Sequence, residues 1–460
     1  MSDQRKLLFR TAEIAADFLE SLDERAVFPT AAMEDLAAAL GGPFPERPED
    51  PLAVVEEMAR AIEPGVVATA GPRYFGYVTG GALPATVGAD WLTTIWDQCA
   101  GLGALGPSAM VVEQIAGDWL KELFGLPAQS SFAITSGTQM GHVTALAAAR
   151  HEILSARGWD VREHGLAGSP RITVVVGQYR HVTIDRALRL LGIGGAQIEA
   201  VDADECGRMQ PDALRAALGR IDGPTIVCAQ AGEVNTGSYD PFEEIVPIVR
   251  ETDAWLHVDG AFGLWIAASA TRRHLVDGFA GADSWAADGH KWLNVPYDCG
   301  LVFCANPLAH NASMTMKASY FEGQGKWLRD AVDWTPESSR RARGFTVYAA
   351  LRSLGRQGVA DLVDRCCELA QQFATGVSRL RGCELLNEVV INQVLFRFAD
   401  DETTNAVLEH VQASGEAWMG GTTWDGRPAI RVSVSGWMTT EADIDRTVSA
   451  FEHALASLSG

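Results

Sequence analysis

Five short apolar runs constrain this chain more than anything else in it: FAIT at 132–135, ITVVVG at 172–177, TIVCAQA at 225–231, WLHVDG at 255–260 and GLVFCA at 300–305. Helical spacing at 141–155, 182–191 and 240–251 separates the first four. Continuous apolar strands that alternate with helices make a mostly parallel sheet covered on both faces. The expected fold is α/β, with a mostly parallel central sheet flanked by helices.

The flanking segments read differently. Residues 5–22 and 51–63 carry apolar residues at three- and four-residue spacing and read as helices. GGPFPERPEDP lies between them as a connector rich in Pro and Gly. The loop GPRYFGYVTGGALP at 71–84 is aromatic and glycine-rich, which suits the wall of a site. Near residue 360 the organisation changes again. A long helix (359–380) leads to VLFRFA at 394–399, a helix at 403–413, AIRVSVSGW at 429–437 and a last helix ending at Leu458. The expected division is an N-terminal helical segment (1–75), a large domain (76–360) and a small C-terminal α+β domain (361–460).

Charge and cysteine usage exclude some partners. A net charge of -22 over 460 residues argues against nucleic acid and against an anionic membrane surface, because phosphates are repelled. No apolar stretch approaches the roughly 18 residues a membrane span needs. The first residues, MSDQRKLLFRTAEIAADFLESLDE, mix both charges into an amphipathic pattern and do not read as a signal peptide. The 8 cysteines are scattered, with no CxxC pair. They read as reduced thiols of a cytoplasmic protein, and no metal set is expected.

The chemistry concentrates in ADSWAADGHKWLNVPYDCG, residues 282–300, where Lys291 stands between His290 and Trp292 just before a strand. Alone, such a lysine reads as a surface residue. Asp259, however, closes the hydrophobic run WLHVD, and open α/β sheets bind ligands beyond such strand ends. Pyridoxal 5'-phosphate (PLP) requires a lysine for its Schiff base and a carboxylate to keep its pyridine nitrogen protonated. Lys291 and Asp259 meet both requirements.

A phosphate anchor is the third requirement. ITSGTQMGHVTALAAAR (134–150) is a strand, a small-polar turn and a helix, and the unpaired N–H groups of a helix start suit a phosphate. Ser136, Gly137, Thr138 and Gln139 form that turn. The plainer reading is a helix cap by Ser136 or Thr138. In GQYRHVTIDRALRLLG (177–192), His181 follows a strand and opens a helix. It reads either as a cap or as an imidazole stacked on a pyridine ring.

These segments, in this order, resemble the group II PLP-dependent amino-acid decarboxylases, which include the aromatic-amino-acid, tyrosine, histidine and glutamate enzymes. The family's HVDxA matches His257-Val258-Asp259-Gly260-Ala261, and its HKW matches His290-Lys291-Trp292. Its TSGGTEAN-like turn is similar to residues 135–142, its HPxFFAY segment to GPRYFGYVTGG, and its SPAxTELE to LGPSAMVVE at 105–113. The similarity runs over roughly residues 70–365. It implies fold-type I, a homodimer, and decarboxylation of an L-amino acid to its amine with Lys291, Asp259 and His181 as catalytic residues. It also implies cofactor contacts from Ala261 and His290, and a side-chain pocket lined by Tyr77, Val78 and Thr79.

Three departures stand out. Met140 replaces the family's usual Glu, and Glu233 in AGEVNTGSYDPF (231–242) replaces a small hydroxyl residue near the cofactor's face. The family's proton-donating tyrosine belongs on a mobile loop expected at 323–339, with its position near Ala331, and no tyrosine occurs there. His181, Tyr320 or water would then donate the proton. The alternatives to amine formation are aldehyde-forming oxidative decarboxylation, carbon–carbon lysis on the same scaffold, and cofactor binding without turnover.

Overall fold

The computed structural model describes residues 2–316 and 329–458. Three helices lead the chain, α1 (Asp3–Ser21), α2 (Met33–Leu40) and α3 (Pro51–Ile62), followed by α4 (Pro84–Trp96) and α5 (Pro107–Phe124). The large domain then runs β1 (Ser131–Thr135), α6 (Thr138–Ser155), α7 (Val161–His164), β2 (Thr173–Gly177), α8 (Val182–Leu190), β3 (Ile198–Val201), α9 (Pro211–Leu218), β4 (Thr225–Gln230), α10 (Phe242–Arg250), β5 (Trp255–Asp259), β6 (Ser284–Asp288), β7 (Gly300–Cys304) and α11 (Pro307–Met314). The last part is α12 (Gly344–Val377), β8 (Glu384–Leu385), β9 (Gln393–Arg397), α13 (Asp401–Ser414), β10 (Gly420–Trp424), β11 (Arg427–Ser433) and α14 (Glu441–Leu458).

The large sheet has seven strands in the order β1-β7-β6-β5-β4-β2-β3. β7 is antiparallel to both of its neighbours, and the other pairs are parallel. The C-terminal ends of β1, β2, β4, β5 and β6 therefore share one edge, and the turns that follow them share one space. The five runs singled out from the sequence are β1, β2, β4, β5 and β7.

Two strands carried no local signal. β3 lies at the sheet's edge and is only partly buried. β6 reads SWAAD, without a β-branched residue, yet is buried throughout. Packing makes it a strand: α6 crosses so closely that a Cβ on Gly141 would lie 3.2 Å from Ala286 Cβ. Small residues are what that approach demands. Around the sheet the core contains the fully buried Trp265, Trp285 and Trp292. Phe124 meets Trp265 edge to face at 4.9 Å, a pair worth about 1 kcal/mol beyond its area burial.

The expected helix at 359–380 begins earlier, at Gly344, and ends at Val377. Gly355, at φ 62°, breaks the helical path, which is why only the second half showed in the residue pattern. The small sheet is antiparallel in the order β10-β11-β9-β8. Among the described residues no helix is long and apolar enough to cross a membrane.

Candidate active site

A cavity of about 300 Å³ opens where the strand ends converge. Ser136, Gly137, Thr138 and Gln139 line it from the turn after β1, and His181 and Thr183 from the turn after β2. Gly232 and Val234 contribute from beyond β4, Asp259, Ala261 and Phe262 from the end of β5, and Asp288, His290 and Lys291 from the end of β6.

The turn after β1 is an open helix start. Gly137 takes the cap position and has no side chain of its own to cap the helix. The plainer reading of Ser136 or Thr138 as a cap is thus not realised. Thr138 N–H donates to Asp288 Oδ1 at 2.6 Å. Thr138 Oγ1 and Gln139 Oε1 are buried without a hydrogen-bond partner among the described residues. Space is set by backbone: a Cβ on Gly300 would lie 2.3 Å from the Gly137 carbonyl carbon. Donors, orphaned polar atoms and bare backbone together suit an anionic group of phosphate size.

Asp259 is 6 % exposed. Its Oδ1 accepts from Ala261 N–H at 3.1 Å, and its Oδ2 lies 3.4 Å from His142 Nε2. Burial pushes this carboxyl up, but His142, His181 and Lys291 pull it down further, and the net position is well below the usual carboxylate range. An ionised carboxylate accepts only, so it suits a protonated ring nitrogen.

His181 is a helix cap whose ring also lines the cavity. At the start of α8 its Nδ1 faces Thr183 Oγ1 at 2.8 Å and the Thr183 N–H at 3.4 Å. Burial lowers its pKa, with Asp259 opposing and Lys291, His142 and Arg431 adding to the drop. The ring is therefore neutral near pH 7. With Nδ1 accepting, the tautomer inferred from these partners carries its proton on Nε2.

Lys291 Nζ stands 3.3 Å from Asp288 Oδ2 and 5.8 Å from the centre of the Phe262 ring. The backbone around it is clamped. Trp265 Nε1–H donates to the Asp288 carbonyl, and Cys299 N–H to His290 Nδ1 at 3.1 Å. Asn294 donates through Nδ2 to Trp292 O and Ser435 O, and accepts from Trp437 N–H, which ties the lysine loop to the small domain. Gly80 passes so close that a Cβ would meet Lys291 O at 1.9 Å.

Tyr77, Val78 and Thr79 do not line this cavity. Tyr77 is exposed and stacks on Trp418, Val78 is fully buried in the core, and Thr79 Oγ1 meets Tyr297 OH at 3.1 Å. Tyr77 and Val78 both hold positive φ, 53° and 60°, a strained state for a β-branched residue. Glu233 is buried, and its carboxylate accepts from Asn235 N–H, Asn235 Nδ2 and Thr236 N–H. It is engaged within its own turn, while its neighbours Gly232 and Val234 line the cavity. Met140 packs into the apolar layer under α6.

The expected tyrosine-bearing loop divides. Tyr320 and residues 323–328 lie outside the described residues. Within residues 329–339, Ala331, Val332 and Thr335 are buried, Ala331 being only 4 % exposed beside Ala100 and Met110, while Pro336, Ser338 and Ser339 are exposed. Ala331, near which the family's tyrosine position is expected, is thus a buried residue here.

Sequence reasoning missed Asp288, His142 and Arg431. Arg431, on β11, is one of the charges His181 senses, and burial lowers its own pKa while Glu233 and Tyr77 raise it.

Residues 34–399 match the family model described as the pyridoxal-dependent decarboxylase conserved domain. The chain belongs to the pyridoxal-dependent decarboxylases. This decarboxylase is 25% identical to an aromatic-L-amino-acid decarboxylase of Bacillus atrophaeus, with 95% of this chain and 93% of the relative covered. It is 27% identical to the aromatic-L-amino-acid decarboxylase of Bos taurus, over 87% of this chain and 85% of that one. It is also 25% identical to a 4-hydroxyphenylacetaldehyde synthase of Rhodiola rosea, over 97% and 93%. In fold, the decarboxylase is similar to the crystal structure of Oryza sativa TDC with PLP and tryptamine, at TM-score 0.92 and 22% identity over 99% of this chain and 98% of that one. It is a PLP-dependent carboxy-lyase of fold-type I.

Proposed function

We propose that this decarboxylase holds PLP in the cavity at the strand ends and removes the α-carboxylate of an L-amino acid, releasing the amine and carbon dioxide. One observation carries the assignment: the Lys291 amine, the Asp259 carboxylate and the open start of α6 face a single cavity of about 300 Å³. When bound, the cofactor supplies an electron-withdrawing ring that stabilises the charge left by the departing carboxylate.

The residues divide the work. The α6 turn (Ser136, Gly137, Thr138, Gln139) binds the phosphate through N–H groups and the positive helix end. Asp259, held as an anion, keeps the ring nitrogen's proton in place. Lys291 would hold the cofactor covalently through its Nζ amine. His181, neutral with its proton on Nε2, lines the same cavity and would offer that N–H to the cofactor or the substrate carboxylate. Ala261 and His290 complete the contact, and Arg431 offers a cation on the small-domain side. Of Tyr77, Val78 and Thr79, only the exposed Tyr77 is proposed to reach a substrate side chain, since Val78 and Thr79 are buried.

A homodimer is part of the proposal. Trp91, Ile95 and Trp96 on α4 are about half exposed, and α1, α3 and α4 frame an apolar groove of about 790 Å³. Exposed apolar surface on this scale suits a second copy. The division into residues 1–75, 76–360 and 361–460 is also part of the proposal, supported by the separation of the large sheet from the small one, with the boundary at 360 falling inside α12. The eight free cysteines support a reducing, cytoplasmic setting.

Borohydride reduction followed by peptide mapping tests the anchor. The label is expected on the peptide containing Lys291, and a label on any other lysine overturns the site. Carbon dioxide release from each of the twenty amino acids then identifies the substrate. Sedimentation is expected at twice 49.3 kDa, and an active species at that single mass removes the dimer.

A further inference from the structure

Beneath Asp259 runs a buried chain of polar side chains that the mechanism above does not use. His142, His257 and Ser284 are each 0 % exposed. His142 Nε2 is 3.4 Å from Asp259 Oδ2, and its Nδ1 is 2.9 Å from His257 Nε2. His257 Nδ1 is 2.9 Å from Ser284 Oγ, which accepts from Trp255 Nε1 at 2.9 Å. The link to Asp259 is long for a hydrogen bond, and His142 Nε2 has no other partner among the described residues.

The contacts constrain where the protons sit. Ionised Asp259 can only accept, so His142 Nε2 must carry a hydrogen, since a bare nitrogen there would face the carboxylate lone pairs. When that is the ring's one hydrogen, His142 Nδ1 is an acceptor and takes the hydrogen of His257 Nε2. His257 Nδ1 is left bare and takes the hydroxyl hydrogen of Ser284. Ser284 accepts from Trp255, whose indole can only donate. Every donor in the row points toward Asp259. Burial holds His257 at about 3, consistent with a neutral ring in the middle of the row.

We infer that His142 is a positioning residue for Asp259, and that the row Trp255–Ser284–His257–His142 orients the donor that keeps this carboxylate an anion facing the cavity. The inference rests on Asp259 being the partner of the cofactor's ring nitrogen. Hydrogen bonds in a low-dielectric row reinforce one another, so loss at the far end is felt at the near one. The charged and titratable groups that face Asp259 are His142 from α6, His257 from its own strand, His181 from the turn after β2, Lys291 from beyond β6 and the Cys228 thiol of β4. Only His142 and His257 belong to the row.

Two variants of similar volume separate positioning from packing. His142→Gln keeps an N–H able to reach Asp259, and His142→Met fills the space without one. Both holoenzymes would be compared with the wild type by the pH titration of the bound cofactor's visible absorbance and by kcat and KM. His142→Met is expected to lose roughly 10- to 100-fold in kcat with KM little changed, the scale typical of removing an outer-sphere orienting group. Its absorbance midpoint should move by about half a pH unit or more, as expected when a charge-stabilising donor is lost. His142→Gln should recover most of both. Ser284→Ala, a smaller change at the far end, should shift the midpoint in the same direction by less. Equal behaviour of the Met and Gln variants, or a midpoint unmoved in Met and in Ser284→Ala, overturns the role of His142 while leaving the cofactor site standing. A wild-type protein that carries no reducible cofactor on Lys291 removes both together.

Discussion

Thr138 gives its backbone N–H to Asp288 Oδ1 at 2.6 Å, so a carboxylate already sits against the helix start proposed to bind phosphate. The same carboxylate lies 3.3 Å from Lys291 Nζ, which offsets part of its charge, and 3.5 Å from His290 Nε2, whose pKa burial lowers. A phosphate brought to this turn meets a like charge. Asp288→Asn keeps an acceptor for Thr138 and removes the charge. The apoprotein should then bind PLP and inorganic phosphate roughly 3- to 10-fold more tightly at low ionic strength, less so in salt. Fluorescence titration measures this, and unchanged or weaker affinity would show that the Asp288 charge does not oppose phosphate.

Lys291→Ala should retain PLP without a covalent bond, because the phosphate turn is built from other residues. Dialysis should remove the cofactor faster than from the wild type, and turnover should be undetectable. Covalent cofactor in this variant would move the anchor elsewhere.

Asp259→Asn leaves the space filled and removes the anion. A neutral amide cannot hold the ring nitrogen protonated, so kcat should fall by roughly 100-fold or more with the fold intact by circular dichroism. His181→Ala should fall less, by about 10-fold, since it removes orientation and leaves the ring's charge alone. Near-wild-type turnover in either variant takes that residue out of the chemistry.

Acid should destabilise this protein through two buried histidines. Burial holds His257 and His310 at about 3 in the fold. In the unfolded chain each takes up a proton near 6.5. Below that pH the unfolded chain binds more protons than the native one, so stability drops by up to about 1.4 kcal/mol per pH unit for each histidine. Asp240 works the other way. Burial raises it to about 6, so the native state keeps a proton that the unfolded state releases, and this contribution is present in acid and lost as pH rises through 6. Two histidines against one carboxyl leave a net loss. Urea midpoints should fall steadily from pH 6.5 to pH 4, and a flat profile would contradict neutral buried rings at these positions.

No tyrosine occurs between Tyr320 and Tyr348, and position 331 is closed by packing. General-acid help worth roughly 10²–10⁴-fold must come from another donor, such as His181 Nε2–H or water. The amine should nonetheless be the main product, with the amine-to-aldehyde ratio unchanged between air and nitrogen. Aldehyde with stoichiometric peroxide in air would place the protein with the aldehyde formers.

What could be read from the residues was what local chemistry encodes. TVVV and TIVC announce strands on their own; Asp259 could be picked out because it closes such a run, and Lys291 because it stands between His290 and Trp292 in an apolar segment ahead of another. SWAAD announces nothing, since its strand comes from the close crossing of Gly141. For the same reason Asp288, at the end of that strand, went unnoticed although it stands three residues before the lysine. His142 reads as one more inward position of an Ala-rich helix, and only its distance to Asp259 gives it meaning. Arg431 belongs to the other sheet, so no spacing within the large domain points to it. The burial of Ala331 does not show in the residues around it, because Ala100 and Met110, which pack in the same cluster, lie more than two hundred residues earlier in the chain.

The approach of Gly300 to Gly137 has a practical side. The segment from Gly289 to Cys299, which carries the lysine, leaves the α6 turn at Asp288 and returns to it at Gly300. It is a buckle fastened twice at one place, so its two ends cannot drift apart as its contents change. Such a segment can be exchanged between related scaffolds only together with Gly137 and Gly300 at its ends and with Gly80, Ser435 and Trp437, which grip its middle.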